Sequence, residues 1–212
     1  MIEPTRILLL RHGETAWNVE RRIQGHLDAP LNQHGRWQAR RLGLALQAED
    51  LGAVYSSDLA RASDTAEAVA QACGLPVQTD PALRERGFGR FEGLTYDEIE
   101  RGWPEDSLRW RQREPGFCVG GGESLTAFSV RCVAAVTRCA VDHPGQAIAV
   151  VAHGGVLDCL YRAAAGLELQ ASRTWALGNA SINRLLFHGE GFSLVGWNDV
   201  AHLESLPDSA ES

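Results

Sequence analysis

The sequence predicts an α/β fold: a mostly parallel central sheet with helices packed on both faces. Two observations carry that expectation. Short apolar runs alternate with longer stretches patterned at helical spacing, and two of those runs are apolar enough to be buried on both faces. At 212 residues the chain suits one domain, since chains divide into several cores mainly beyond roughly 250–300 residues. The reading places that domain at residues 1–204 and leaves the polar ending SLPDSAES, 205–212, as a flexible tail.

The elements follow in order. RILLL near the start is the first strand, GAVYSS at 52–57 the second, LPVQT at 75–79 the third and AIAVVA at 147–152 the fourth. SINRLLF and FSLVGW flank HGEG, a turn signal, and read as a closing hairpin. Helices fill the gaps. Residues 35–50 place Trp37, Arg41 and Leu44 at helical spacing, and the next helix begins after Ser57 or Asp58 and stops at Gly74. Thr95 and Glu98 form a capping box for a helix that Gly102 and Pro104 close. ESLTAFSVRCVAAVTRCAVDHPG is a long amphipathic helix ended by Pro144 and Gly145, and another follows HGG at 153–155.

Composition excludes several classes of function. The net charge of −7 argues against a nucleic-acid binder, which needs a basic face. All twenty basic residues are Arg and none is Lys, so no P-loop lysine, kinase strand lysine or Schiff-base lysine is available. The start MIEPTRILLL holds too few consecutive aliphatics for a signal sequence or a membrane span, and five cysteines without a C-x-x-C pair suit reduced thiols. A cytoplasmic location with no membrane partner is expected.

In a parallel α/β sheet, ligands sit beyond the carboxyl ends of the strands. Arg11 and His12 follow the first strand, and His153-Gly154-Gly155 follows the fourth. Arg61, in the first turns of a helix after a strand, and Glu85, in a loop after another, join the same edge. Two imidazoles, two guanidiniums and a carboxyl suit phosphoryl transfer, where charge on the phosphoryl oxygens must be held and the attacking and leaving atoms kept in line. Arginine forks grip phosphate at any pH of interest. A neutral imidazole can attack phosphorus, and a carboxyl can protonate the departing alkoxide. The guanidiniums neutralise the phosphate, so no metal or other cofactor is expected.

The segments RHGET-x-WN, RIQGHLDAPLNQHGRWQA, SSDLARASDTA, LRERGFGRFEG, GGES and VVAHGG together resemble the histidine phosphatase superfamily, also called phosphoglycerate mutase-like, over nearly the whole chain. The resemblance implies a three-layer α/β/α sandwich. It implies that His12 is the phosphorylated nucleophile, that His153 steadies the transferring group, that Arg11 and Arg61 grip the phosphate and that Glu85 donates the proton. It also implies that Asn18, Gln24 and Gly25 line the substrate pocket and that the Gly154 backbone reaches the phosphate. Glu14, Glu92 and Asp64 are rivals for the acid.

Within the family, the sequence is more similar to the phosphatase branch, and a small phosphorylated metabolite is the expected substrate. Cofactor-dependent mutases carry E-R-H-Y-G, a following lysine and H-G-N, where this chain has ERGFG with Phe88, Tyr96 and Gly155. A mutase primed by 2,3-bisphosphoglycerate is the alternative, with Arg109, Arg111 and Arg113 as its candidate carboxylate clamp. A metallohydrolase built on His12, His26, Asp28 and His153 lacks zinc-motif spacing. A non-catalytic binding module on the same fold is expected to lack one member of the set, and none is missing.

Overall fold

The computed structural model describes residues 3–204; the tail at 205–212 lies outside the described residues. Among these, strands β1 (Thr5–Arg11), β2 (Leu51–Ser56), β3 (Val77–Thr79), β4 (Ala147–Ala152), β5 (Ile182–Phe187) and β6 (Phe192–Asp199) form one sheet in the order β3-β2-β4-β1-β5-β6. The first four run parallel, and the β5–β6 hairpin closes the sheet antiparallel to β1. The helices are α1 (Ala16–Val19), α2 (Gln33–Leu46), α3 (Ala60–Cys73), α4 (Tyr96–Gly102), α5 (Pro104–Arg111), α6 (Leu125–Val141) and α7 (Gly154–Ala165).

The apolar runs fix the layering. In β1, Ile7 and Leu9 enter one buried cluster with α6 and α7, while Leu8 and Leu10 enter another with α2 and α3. β4 divides the same way, with Ile148 and Val150 on one side and Ala149 and Val151 on the other. A strand apolar on both faces needs cover on both, and the result is the three-layer α/β/α arrangement expected. A smaller cluster of Ile23, Phe91, Ile99, Phe117 and Val119, flanked by Trp103 and Trp110, builds a cap from α4, α5 and the loops around them.

Several element boundaries differ from the sequence reading. α2 starts two residues early, because Asn32 Oδ1 accepts the Gly35 N–H at 2.7 Å and caps it there. α3 starts after Leu59, not after Ser57 or Asp58; Asp58 instead takes the Arg84 Nε at 2.7 Å. Gly74 ends α3 in the left-handed region at φ 70°, and Thr95 and Glu98 form the expected capping box. Pro104 does close α4, yet it also opens α5, a helix the sequence reading lacks. Proline needs no N–H at the first helical position. α6 ends at Val141, ahead of Pro144.

Register places the site. β1 and β4 are adjacent and parallel, with Arg11 opposite Ala152. The next residue of each strand is a histidine, and the His12 N–H donates to the Ala152 carbonyl at 3.0 Å. Two rings therefore leave neighbouring strand ends together. Gly13 follows because the chain there touches α2: a Cβ at Gly13 would lie 2.5 Å from the Gly35 carbonyl oxygen.

Candidate active site

The His12 and His153 rings are buried with centroids 5.2 Å apart. His12 Nδ1 lies 2.7 Å from the Gly13 carbonyl oxygen, which can only accept. Nδ1 therefore holds the proton of the neutral ring, and Nε2 keeps a lone pair. Burial, then the Arg61 and Arg11 charges, push the His12 pKa well below its ordinary value. Burial first, with Arg61, His12 and Arg11 after it, does the same to His153. Both rings are neutral at neutral pH.

The cations beside them are anchored but incomplete. Arg61 donates to the carbonyls of Gly25 at 2.8 Å and Leu27 at 3.0 Å, which also fixes the Gln24-Gly25 segment. Arg11 donates to the Leu177 carbonyl. Burial lowers the Arg11 pKa to about 10, so it stays charged. The Nε of each arginine and both ring nitrogens of His153 are buried without a partner. Buried donors are nearly always satisfied, so a cluster left open on one wall marks the seat of an anion. Gly154 opens α7 there and brings a positive helix terminus to the same place.

Glu85 faces this seat through a dense scaffold. Its carboxylate accepts the N–H of Gly155 and of Arg86, each at 2.9 Å. Its carbonyl accepts from His26 Nε2 at 2.8 Å and from Arg131 Nη2 at 3.2 Å. Arg131 also holds the carbonyls of Ala82 and Arg84 at 2.8 and 2.9 Å, and its guanidinium is gripped by both Glu123 oxygens at 2.8 and 2.6 Å. The GGES segment thus acts from a distance: Glu123 clamps the arginine that shapes the Glu85 loop. The rivals point elsewhere. Glu92 accepts the His26 and Phe88 N–H groups, Glu14 takes the Asn32 amide, and Asp64 is exposed on α3.

A cleft of about 610 Å³ brings together Arg11, His12, Asn18, Gln24, Gly25, Arg61, Glu85 and Gly154, with His153 against the His12 ring. Asn18 also caps α1, and its Oδ1 accepts from Asn179 Nδ2 at 3.3 Å, whose other contact is the His12 carbonyl at 3.0 Å. Phe88, Tyr96, Trp110 and Trp175 supply aromatic walls. The insertion arginines are engaged: Arg109 with Glu114, Arg111 with Glu100, and Arg113 with Asp158 at 2.7 Å. Sequence reasoning missed Asn179, Arg131, Trp175 and Arg173. The last two lie in the long loop after α7, which carries no motif; Arg131 could have been found as a lone cation inside the apolar pattern SVRCVAAV.

Among the described residues no three His, Cys, Asp or Glu side chains stand close enough to hold a metal. His26 and Asp28, proposed with the histidines as ligands, are occupied with the Glu85 carbonyl and the Ala60 N–H. No helix among the described residues is long and apolar enough to cross a membrane.

Residues 7–200 match the family model described as histidine phosphatase superfamily (branch 1). The chain is 42% identical to phosphoglycerate mutase-like protein 4 of Arabidopsis thaliana, covering 96% of this chain and 89% of that one. It is 38% identical to the metal-independent phosphoserine phosphatase of the same plant, covering 96% and 85%. Among solved structures, YhfR of Bacillus stearothermophilus superposes with a TM-score of 0.88 at 36% identity, covering 94% of this chain and all of the other.

Proposed function

The chain belongs to the histidine phosphatase superfamily, and from that premise we propose that it is a metal-independent phosphomonoesterase that hydrolyses small phosphorylated metabolites through a phosphohistidine on His12. The observation that carries this reading is the pair of buried neutral imidazoles 5.2 Å apart beside buried guanidinium N–H groups that lack partners. The ester's phosphate fills that seat and satisfies them. His12 Nε2 attacks phosphorus as the bond to the ester oxygen breaks, and Glu85, which must enter this step as the neutral carboxylic acid, gives its proton to the departing alkoxide. His153, Arg11 and Arg61 hold the charge on the phosphoryl oxygens during transfer. Glu85, now a base, takes a proton from water, which attacks the phosphohistidine and frees phosphate and His12.

Water is favoured over a second hydroxyl as acceptor. The insertion arginines that would clamp a phosphoglycerate carboxylate already have carboxylate partners of their own. Tyr96 and Gly155 stand where mutases place lysine and asparagine. A side chain at Gly155 would meet Glu85 Oε1 at 2.1 Å, so the asparagine and this carboxyl placement exclude each other. The five cysteines are free thiols, which suits work in the cytoplasm.

A phosphate-release screen over phosphomonoesters in the presence of chelator tests the proposal, with 3-phosphoglycerate assayed with and without its bisphosphate. Hydrolysis that persists in chelator is the expected result. Interconversion of phosphoglycerates without net phosphate release would establish the mutase instead. Binding without either reaction would establish the non-catalytic module.

A further inference from the structure

The cleft holds more positive charge than one phosphate needs. A phosphomonoester carries about two negative charges at neutral pH, which Arg11 and Arg61 match. Five more arginines line the cleft: Arg22, Arg86, Arg111, Arg113 and Arg173. Arg22 is paired with Glu20 and Glu98, Arg111 with Glu100, and Arg113 with Asp158. Arg86 is buried and spends its fork on the carbonyls of Glu123 and Phe117, both at 2.9 Å. Arg173 alone of the lining arginines makes no hydrogen bond or ion pair among the described residues.

Arg173 is exposed, but the chain on either side of it is pinned. Before it, Arg162 holds the Glu168 carbonyl at 2.7 Å and Arg113 holds that of Leu169 at 2.6 Å. After it, Trp197 Nε1 donates to the Ala176 carbonyl at 3.0 Å and Arg11 donates to Leu177. Trp175 stacks on Tyr161 with ring centroids 3.9 Å apart, and its own Nε1–H is buried without a partner. The loop therefore presents its guanidinium from a fixed base, near enough to Arg11 and Tyr96 for its charge to act on both. Glu85 offsets the charge of Arg11, so among the described residues Arg173 is the lining cation that an incoming anion still finds unmatched.

We propose that Arg173 is a specificity-determining residue that receives a second anionic group of the substrate, a carboxylate, so that the preferred substrates are phosphomonoesters of carboxylic acids. One unpaired guanidinium balances one negative charge and offers a fork that fits a carboxylate; a second phosphate would call for two. This inference rests on the phosphatase reading only for its kinetic assay.

The experiment compares kcat/KM for phosphoserine and 3-phosphoglycerate with that for phosphoethanolamine and glycerol phosphate, which lack the carboxylate, in the unmodified protein, Arg173→Met and Arg173→Glu. A charge-assisted hydrogen bond is worth at least about tenfold. The unmodified protein should favour the carboxylated esters by that factor or more, carried in KM. Arg173→Met should erase the preference, and Arg173→Glu should reverse it. No preference in the unmodified protein, or a preference that survives both substitutions, would each overturn the proposal. If no ester releases phosphate, the phosphatase reading falls by itself. Calorimetric affinities for the same four compounds then judge Arg173 on the same ratios.

Discussion

Replacing Gly155 with alanine separates the acid's placement from the fold's stability. The added Cβ would lie 2.1 Å from Glu85 Oε1 and 3.0 Å from Phe128 Cε1, whereas ordinary contact begins at 3.4 Å. The Phe128 ring need give only a few tenths of an ångström. The carboxylate must move by more than about 1 Å, and it loses the Gly155 N–H at 2.9 Å. Because the carboxylate is the free end of a side chain, the fold tolerates the move: one hydrogen bond is worth about 1 kcal/mol, largely offset by the roughly 0.4–1 kcal/mol that alanine gains over glycine through a less mobile unfolded chain where φ is compatible. Catalysis does not tolerate it. A misplacement of about 1 Å costs on the order of 10²-fold, or about 2.7 kcal/mol of barrier. The assay is kcat on glycerol phosphate and on p-nitrophenyl phosphate, with the melting temperature measured on the same samples. The alkyl ester should lose about 10²-fold, the nitrophenyl ester, whose leaving group needs little protonation, far less, and the melting temperature should barely move. Equal losses on both esters, or full activity on both, would refute the role given to Glu85.

Glu85→Gln should give the same split between esters without the steric cause, and Arg131→Met should approach it by loosening the loop. The double variant Glu85→Gln/Arg131→Met should then be little slower than Glu85→Gln alone, since both act through one carboxyl; additive losses would assign Arg131 another role. Glu123→Gln, which leaves Arg131 half-gripped, should fall between the unmodified protein and Arg131→Met on alkyl esters, as steady-state kinetics will report. Acid stability follows from the histidines. Their folded pKa values lie below the unfolded value of about 6.5. The unfolded chain therefore binds more protons below that pH, and stability is complete above it and is lost as pH falls from it down through the lower folded values. Unfolding free energies from urea titrations should drop between about pH 7 and 5 by up to ~1.4 kcal/mol per pH unit per histidine, and His153→Asn should flatten that slope; a slope unchanged by the substitution would contradict it.

The layers and the paired histidines were legible in the residues because period and position carry them. AIAVVA became β4 residue for residue, since a run buried on both faces has only one place in such a sheet. His12 and His153 met because both followed parallel central strands. What stayed hidden depends on chain reversals and distant partners. Pro104 reads equally as a stop and as a first turn, so α5 was absent from the expectation. His26 and Arg131 act through carbonyls 59 and 46 residues away, which no local pattern records. Arg109, Arg111 and Arg113 looked available in the sequence; only the fold shows their carboxylate partners and leaves Arg173 unmatched among the described residues.

Transfer of the phosphoryl group to His12 Nε2 is the step on which the account stands, and rapid-quench trapping with radiolabelled substrate tests it most directly. The account predicts a burst of label that is stable in base and labile in acid, maps to the peptide containing His12 and vanishes in His12→Ala together with turnover. Label on His153, an acid-stable label, or undiminished hydrolysis by His12→Ala would contradict it.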